Sequence, residues 1–263
     1  MSKRWPWKEL EKTSLENCRI VLVRPRIAAN IGATARVMRN MGLRDLVLVQ
    51  PDADPSDPEA RKLSTHGEEI LNQARIVQSL SEAVRDCTLV AATSARTGGL
   101  FRRQSMGTPD EIIPHFVEQL EFGPIVLIFG PEANGLTNDE IASCHYLLHI
   151  PADCGYPALN LAQAVAICLY ELRRAWLKKC SRSPETSDLK SHDFSYGTFE
   201  AQEKMFADLR AALEQIHFLY GPKADALMHA LRHLIGRAKP SVMEVDVLLG
   251  LARQIRWYVE HYR

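Results

Sequence analysis

The 263-residue chain lacks the features that mark membrane, secreted and fibrous proteins. Its apolar runs fall well short of the roughly 18 residues that span a bilayer, and its charged first residues contain no apolar core of a secretory signal. With 14 Gly and 14 Pro, it has too few of either for a collagen-like or proline-rich disordered chain. Its 32 basic and 32 acidic residues balance, so net charge indicates neither a highly basic nucleic-acid binder nor an acidic tail. We therefore expect a globular cytoplasmic protein without a membrane partner.

The six cysteines form no disulfide or metal framework. None belongs to a C-x-x-C pair, and Cys144, although His145 and His149 are nearby, lacks the second ligand pair of a metal site. Cys168 lies in an apolar run, where a free thiol packs as a small hydrophobic side chain. The sequence therefore predicts reduced cysteines and no bound metal.

Residues 19–177 alternate short apolar runs with helical patterns, which is typical of an α/β layer fold. The runs are rich in Val, Ile and Leu with little polar alternation, as in parallel strands buried on both faces. We expect strands at 20–23, 46–49, 88–93, 125–129 and 146–150. We expect helices near 33–41, 58–72, 79–85, 109–120 and 137–143, followed by a buried helix at 159–177.

The composition shifts after this part of the chain. Residues 180–197 are largely polar and Ser-rich, which predicts a linker. Residues 198–263 predict a small all-α domain with helices at 201–218, 223–235 and 241–262, the last with a capping box of Ser241 and Glu244. The predicted division is an N-terminal extension at 1–17, an α/β domain at 18–179, the linker and the helical domain. We expect the α/β domain to fold without the helical one.

Ligands in open α/β sheets bind beyond the carboxyl ends of strands, so the loops there are the candidate sites. Neither a G-x-G-x-x-G fingerprint nor a P-loop occurs in the sequence. After the first strand, Asn30 is a candidate helix N-cap and Gly42 a candidate residue beyond the helix end. Gly32, Arg36 and Arg39 share one helix side, which suits phosphate binding but equally suits an ordinary solvated helix.

Arginine is concentrated in two segments without acidic residues. Residues 19–44 contain six Arg and no Asp, Glu or Lys, and residues 87–109 contain three Arg and no acid. Arg dominates where planar recognition of phosphate matters, so these segments indicate a local polyanion site. Chance clustering is the alternative.

The fourth predicted strand runs into a turn with polar groups. Gly130, Pro131 and Gly135 expose backbone amides, and Glu132 adds a carboxylate that is either functional or a solvated turn residue. Thr137 and Glu140 form a capping box, and Asn160 lies near the start of the last helix of the α/β part. No Ser–His–Asp arrangement, paired catalytic carboxylates or cysteine nucleophile occurs in these loops, which argues against a hydrolase.

Three motifs together resemble those of the SPOUT superfamily of knotted RNA methyltransferases, in its TrmH-like 2′-O-ribose branch. They are N-I-G-A-T-A-R (30–36), F-G-P-E-A-N-G-L-T-N (129–138), and I-P followed by L-N-L-A-Q-A-V (150–165). The resemblance continues through T-S-A-R (93–96), and L-R-H-L-I-G-R-A-K-P (231–240) is similar to the helical domain of bacterial tRNA methyltransferases. It covers about residues 18–263.

The resemblance implies a SPOUT α/β-knot, a parallel sheet with a trefoil knot near the third motif, followed by a small all-α domain. It implies a homodimer through the knot region, with an active site built across the interface. The implied catalytic residues are Arg36, Asn30, Glu132 and Asn160. The implied cofactor is S-adenosylmethionine, with contacts at Thr93, Ser94, Ala95, Gly130, Ile150, Ala158, Leu159 and Asn160.

The implied activity is 2′-O-methylation of tRNA at cytidine or uridine 32 of the anticodon loop. Since Arg stays protonated, we expect Arg36 to hold a phosphate and stabilise developing alkoxide charge. The candidate RNA-binding residues are Arg24, Arg26, Arg39, Arg96, Arg102 and Arg103, with Arg232, Arg237 and Lys239 in the helical domain. No DNA partner is expected, and the last three equally suit a solvated helix end.

One departure keeps other functions open. Ala158 stands where the TrmH-like pattern usually has Ser, which removes a hydroxyl near the methyl donor or ribose. A ribosomal RNA 2′-O-methyltransferase is the runner-up within the class. A catalytically lapsed knotted RNA-binding protein and a small-molecule α/β enzyme are the alternatives from other classes.

Overall fold

The computed structural model describes residues 14–96, 106–181 and 196–262. Strands and helices alternate through its first two ranges, and helices fill the third. The strands are β1 (Cys18–Val23), β2 (Asp45–Val49), β3 (Arg75–Val77), β4 (Leu89–Thr93), β5 (Met106–Gly107), β6 (Ile125–Phe129) and β7 (Tyr146–Leu148). The helices are α1 (Ala28–Met41), α2 (Pro58–Ser64), α3 (Glu68–Gln73), α4 (Leu80–Val84), α5 (Pro109–Gln119), α6 (Asn138–Ala142), α7 (Leu161–Cys180), α8 (Phe199–Gln215), α9 (Ala224–Ala238) and α10 (Val242–Tyr262).

The described strands form one parallel sheet in the order β3-β2-β1-β6-β4-β7-β5. This confirms the predicted α/β class and the five predicted strands. The sequence missed β3 and β5, which are edge strands of three and two residues. So short a strand has too little apolar pattern to separate it from a loop, and in β3 Ile76 is 54% exposed.

Apolar side chains cover both faces of the sheet, as the runs of Val, Ile and Leu predicted. In β1, Ile20 and Leu22 pack into the core against α1, α5 and α7. Val21 and Val23 point to the opposite face, into the core that includes α4 and α6. Because neighbouring strand residues alternate between faces, a strand buried on both sides needs an unbroken apolar run.

Helix α1 corrects one prediction and refines another. It begins at Ala28 with Ile27 at the cap, so Asn30 lies in its first turn and is not the N-cap. Gly42 follows the helix in the left-handed conformation, at φ 85°, as expected. Gly32 serves packing, because a Cβ there would lie 2.0 Å from the Ala60 carbonyl oxygen of α2. The backbone that approaches Gly32 therefore belongs to the protein itself.

The third range confirms the three predicted helices of the helical domain. Thr198 caps α8 by accepting a hydrogen bond from the Ala201 amide. At the start of α10, the Ser241 hydroxyl accepts from the Glu244 amide at 3.3 Å, and Glu244 accepts from the Ser241 amide at 2.8 Å. These reciprocal bonds are the predicted capping box.

The first turn of α8 is built into the α/β part. The Phe199 amide donates to the Cys87 carbonyl at 2.8 Å, and the Phe199 ring is 4% exposed within the core that contains Val90 and Leu147. The His145 ring accepts from the Val90 amide at 3.0 Å and faces the Gln202 side chain at 3.1 Å. The two parts thus share a buried contact, which their sequence boundary did not indicate.

The described residues include only parts of the predicted linker and of the N-terminal extension. Helix α7 runs to Cys180, and most of the predicted linker, residues 182–195, lies outside the described residues. Most of the N-terminal extension lies outside them too, with a 3-10 turn at Ser14–Asn17. The domain boundaries and the knot stay predictions. None of the helices in the described ranges is long and apolar enough to cross a membrane.

Candidate functional site

A cavity of about 330 Å³ opens where β4, β6 and β7 end. The loops that follow these strands and the segment that leads into α7 form its wall. Seven of the eight residues expected to contact a cofactor line this cavity: Thr93, Ser94, Ala95, Gly130, Ile150, Ala158 and Leu159. The eighth, Asn160, is at the N-cap of α7 and does not line it. The fold therefore gathers four separate sequence segments around one space.

The inner wall of the cavity is apolar and was not predicted from the sequence. Phe129, Leu148 and Leu161 are buried there, beside the half-buried Ala164. Each lies at a strand end or in the first turn of a helix, so the general rule on strand ends could have located them. Together they offer a surface suited to a flat apolar or aromatic group.

The turn after β6 is closed by its glycines. A Cβ on Gly130 would lie 2.5 Å from the Leu136 amide nitrogen, so only glycine permits this close approach. Gly135 has φ 66° and its amide donates to the Pro131 carbonyl at 2.9 Å. The predicted tight turn is present, and its backbone faces the cavity.

A hydrogen-bond network joins the three motif loops. The Asn30 side-chain amide donates to Glu132 at 2.8 Å, and its oxygen accepts from the Asn160 side chain at 2.9 Å. The other Glu132 oxygen accepts from the Arg26 amide at 3.0 Å. Asn160 also caps α7 by accepting from the Ala162 amide at 2.9 Å. The three polar residues named for catalysis are therefore in contact, and they connect α1, the turn after β6 and the start of α7.

This network also explains why Asn30 is not a helix cap. Its side chain makes contacts 102 and 130 residues away instead of turning back to the first amides of its own helix. The two Glu132 oxygens are held by donors from the first turn of α1 and from the loop before it, a geometry that fixes the turn after β6. Among the described groups, Glu132 therefore contacts the Arg26 amide and the Asn30 side chain.

A second link ties the end of β1 to α6. Both Arg24 nitrogens bond the Glu140 carboxylate, at 2.7 and 3.0 Å, in a bidentate pair. Burial raises the pKa of Glu140, but Arg24 and the Thr137 amide outweigh it, so this pKa lies below its ordinary value. Arg24 was predicted to bind RNA, yet its fork is already occupied by a carboxylate. RNA binding by Arg24 stays a prediction, and it would have to compete with Glu140.

The arginine-rich segment 19–44 is not free of acidic partners in space. Arg19 is buried and pairs with Asp45 and Asp86, at 2.6 Å in each case. Burial lowers the pKa of Arg19, but its hydrogen bonds to Asp86 and Asp45 raise the pKa by more, so it lies above its ordinary value. Arg44 lies 3.9 Å from Glu16 and from Glu69. Arg19 and Arg44 therefore face acidic residues that are distant in sequence, and these two arginines do not add to a free positive surface.

The remaining arginines near the site differ in exposure and contacts. Arg26 is exposed and 3.8 Å from Asp52, and Arg96 is exposed at the cavity wall. Arg36 and Arg39 project from α1 into solvent, without an ion pair to any described residue. Arg36 does not line the cavity of its own chain. Arg102 and Arg103 lie outside the described residues.

In the helical domain, one of the three candidate RNA-binding residues is exposed. Arg232 pairs with both oxygens of Glu203 and lies 4.6 Å over the Phe206 ring. Lys239 is half-buried, and burial lowers its pKa while nearby Glu118 opposes the shift. Arg237 is exposed, with its Nε donating to the His233 carbonyl at 3.3 Å. Of these three candidates, only Arg237 is exposed.

Comparison with known proteins covers nearly the whole chain. A model of the SpoU rRNA Methylase family matches residues 17–170, and one of the C-terminal domain of the tRNA methyltransferase TrmJ matches residues 200–262. The tRNA (cytidine/uridine-2′-O-)-methyltransferase TrmJ of Photorhabdus laumondii is 36% identical over 244 residues, 92% of this chain and 98% of that protein.

Two solved structures are similar in fold as well. TrmJ from Z. mobilis ZM4 aligns with a TM-score of 0.73 at 30% identity, over 90% of this chain and 98% of its own. A probable methylase family protein from Haemophilus influenzae Rd KW20 aligns with a TM-score of 0.60 at 35% identity, over 95% and 100%. The likeness therefore extends through the α/β part and the helical part.

Proposed function

The chain belongs to the SpoU rRNA methylase family, and we propose that it methylates a ribose 2′-hydroxyl of tRNA with S-adenosylmethionine as the methyl donor. The observation that carries this proposal is the cavity, because residues of the second and third motifs line it and the network of Asn30, Glu132 and Asn160 ties both to the first motif. tRNA is favoured over rRNA by the match of residues 200–262 to a tRNA methyltransferase domain. Cytidine or uridine at position 32 of the anticodon loop is the proposed target.

The cavity suits S-adenosylmethionine in size and chemistry. Its volume of about 330 Å³ lies within the roughly 300–1,000 Å³ of small-molecule sites. Its apolar wall suits an adenine ring, and the turn after β6 offers backbone groups for polar atoms. We propose that the seven lining residues named above hold the cofactor. When bound, it supplies a methyl group on a positively charged sulfur.

The residues of the chain position the substrate and stabilise charge. The 2′-hydroxyl oxygen must release its proton to solvent water as it gains the methyl group, so negative charge develops on that oxygen. Arg36 holds the adjacent phosphate and stabilises this charge, since a guanidinium cannot accept the proton. Asn30 and Glu132 act through the loop that they fix. Orientation of the hydroxyl toward the methyl group supplies the rest.

The position of Arg36 outside the cavity of its own chain supports an assembly of two copies. Arg36 does not line the cavity of its own chain, so we propose a homodimer in which it serves the partner's cavity. Helix α7 offers the contact surface, since Ile167 and Tyr170 are 37% and 56% exposed on the same side as Arg174. The other apolar residues of α7, such as Leu169 and Leu172, are buried within the chain.

Ala158 lines the cavity where the family pattern has Ser. We propose that the enzyme is nevertheless active, with the 2′-hydroxyl positioned by Arg36 and the network around Glu132. The catalytically lapsed alternative predicts RNA binding without transfer, and the runner-up predicts transfer to rRNA. A small-molecule enzyme predicts no RNA binding at all.

One experiment separates these four outcomes. The full chain is incubated with methyl-labelled S-adenosylmethionine and, separately, unmodified tRNA and unmodified rRNA, and 2′-O-methylated nucleotides are mapped by mass spectrometry. The proposal expects a methylated pyrimidine ribose in tRNA and none in rRNA. Transfer to rRNA alone, binding without transfer, or no binding to either RNA would each replace it by the corresponding alternative.

A further inference from the structure

A row of exposed apolar side chains runs along α10 on the side away from its core. Met243, Val247 and Leu251 are 77%, 69% and 51% exposed, and Tyr258 continues the row at 60%. The opposite side of the helix packs inward through Val245 and Ala252, at 2% and 0%. Spacings of four and seven residues keep the exposed side chains on one side of a helix. Apolar rows of this kind, bordered by charges, mark protein contact surfaces.

Gly250 lies in the middle of this row. Apart from its chain neighbours and the backbone of its own helix, no atom of the described residues lies within 4 Å of the position that a Cβ would take there. Glycine in a helix interior costs about 1 kcal/mol relative to alanine, and no described neighbour requires it. A glycine on an exposed helix side lets a second backbone approach closely. The centre of the row therefore leaves open space into which a second helix can pack closely.

The charges beside the row are self-complementary. Asp246 and Arg253 are both exposed, and neither forms an ion pair with a described residue. They lie four residues before and three residues after Gly250. If two α10 helices pack antiparallel and cross near Gly250, Asp246 of each faces Arg253 of the other. We propose that α10 docks in this way on α10 of a second copy of the chain, through Met243, Val247, Gly250 and Leu251.

The charge balance of this surface favours a second copy over RNA. Glu244, Asp246 and Glu260 are exposed along the same helix as Arg253, so the surface carries no excess of positive charge. RNA binding draws on several cations for phosphate contacts. A two-fold contact needs only that a surface complement itself, and the Asp246–Arg253 spacing provides this.

The contact is separate from the proposed methyl transfer and from the α7 surface. Within a dimer formed through α7, it would hold the helical domains of the two copies together. Between two such dimers, it would produce a tetramer. Both arrangements place α10 against α10, and the test below measures that contact directly.

The test is cross-linking of the full chain through single cysteines. The exposed native thiols are removed by Cys154→Ser and Cys180→Ser, and Val247→Cys is added, with Leu234→Cys as the control. Leu234 is 60% exposed on α9, away from the row. A short bismaleimide should join two chains through residue 247 and not through residue 234, without RNA. Asp246→Arg should lower the yield at residue 247 at least about fivefold, since each substituted residue then faces Arg253 of the other copy and the contact gains two Arg–Arg pairs. Asp246→Arg with Arg253→Asp should restore the yield.

Equal cross-linking at both positions, or no recovery in the double exchange, would overturn the proposal. Protection of residue 247 from a monofunctional maleimide, without cross-linking, would assign the row to another segment of the same chain. Protection that requires tRNA would assign it to RNA. Because no methyl-transfer assay is used, these outcomes do not depend on the proposed function.

Discussion

The side-chain amide of Asn30 donates a hydrogen bond of 2.8 Å to Glu132, a residue 102 positions further along the chain. The same Asn30 side chain accepts from Asn160 at 2.9 Å. One asparagine thus connects the helix after β1 to the turn after β6 and to the start of α7. The three motifs are therefore joined by hydrogen bonds, although of these three residues only Glu132 lines the cavity.

The positioning role of Glu132 predicts a moderate loss on substitution. Glu132→Gln keeps the shape but replaces one acceptor oxygen by a donor, which faces another donor and loosens the turn after β6. We expect about a tenfold rise in KM for S-adenosylmethionine, from the loss of one charge-assisted bond. Steady-state kinetics checks this, with the exposed Glu200→Gln as the control. A fall in kcat of more than about a thousandfold at unchanged KM would instead indicate direct proton transfer.

The role of Arg36 predicts a loss confined to transfer. Arg36→Ala should lower methyl transfer by about a hundredfold or more and leave cofactor binding unchanged in calorimetry. Arg36→Lys should not restore it, because a point charge lacks the planar fork. Arg39→Ala, from the same exposed side of α1, is the control and should lose far less. Near-normal turnover of Arg36→Lys would contradict the assignment.

The buried His145 predicts a loss of stability in acid. Burial lowers the pKa of His145 to about 4, although Gln202 and Glu203 favour the charged form. In the unfolded chain, this histidine takes up its proton with the ordinary pKa of about 6.5. The stabilisation is therefore complete above pH about 6.5 and is lost as the pH falls toward about 4.

Urea unfolding across this pH range should show a shallower decline for His145→Asn than for the unsubstituted chain. The exposed His66→Asn serves as the control and should keep the full decline. Burial also lowers the pKa of His233 to about 4, and the charges of His229, Arg237 and His145 add to this effect. Part of the loss of unfolding free energy in acid therefore remains in every variant. An unchanged slope in His145→Asn would contradict this assignment.

The contact between the two parts predicts a cooperative fold. Phe199 belongs to the helical domain by sequence but is 4% exposed in the α/β core. Phe199→Ala should cost about 3 kcal/mol of unfolding free energy, measured in urea. Phe218→Ala, at 50% exposed, should cost well under half of that. A chain that ends near Lys179 should be destabilised for the same reason, contrary to the independence expected from its polar linker.

The sequence predicted the elements whose signal is local. Apolar runs located β1, β2, β4, β6 and β7, and spacing rules located the capping boxes at Thr137 and Ser241. The motif resemblance brought the cavity residues together, because a family pattern records contacts that a single sequence does not show.

The structure goes beyond the sequence predictions at positions whose partner lies far away in the sequence. Asn30 is a good cap in isolation, but Glu132 and Asn160 compete for its side chain. Arg24 and Arg232 have no acid beside them in sequence, yet Glu140 and Glu203 reach them through the fold. Gly32 faces Ala60 and not a ligand, which depends on how α2 packs. Charge and conformation at these positions are therefore set by tertiary contacts.

The most direct test replaces one 2′-hydroxyl group of the substrate by hydrogen. Once the methylated nucleotide of the tRNA is mapped, a matched tRNA carrying 2′-deoxyribose at that nucleotide alone is offered with labelled S-adenosylmethionine. We expect full labelling of the ribose form, none of the deoxyribose form, and equal binding of both. Labelling of the deoxyribose form to the same extent would place the methyl group on a base or another nucleotide and contradict 2′-O-methylation.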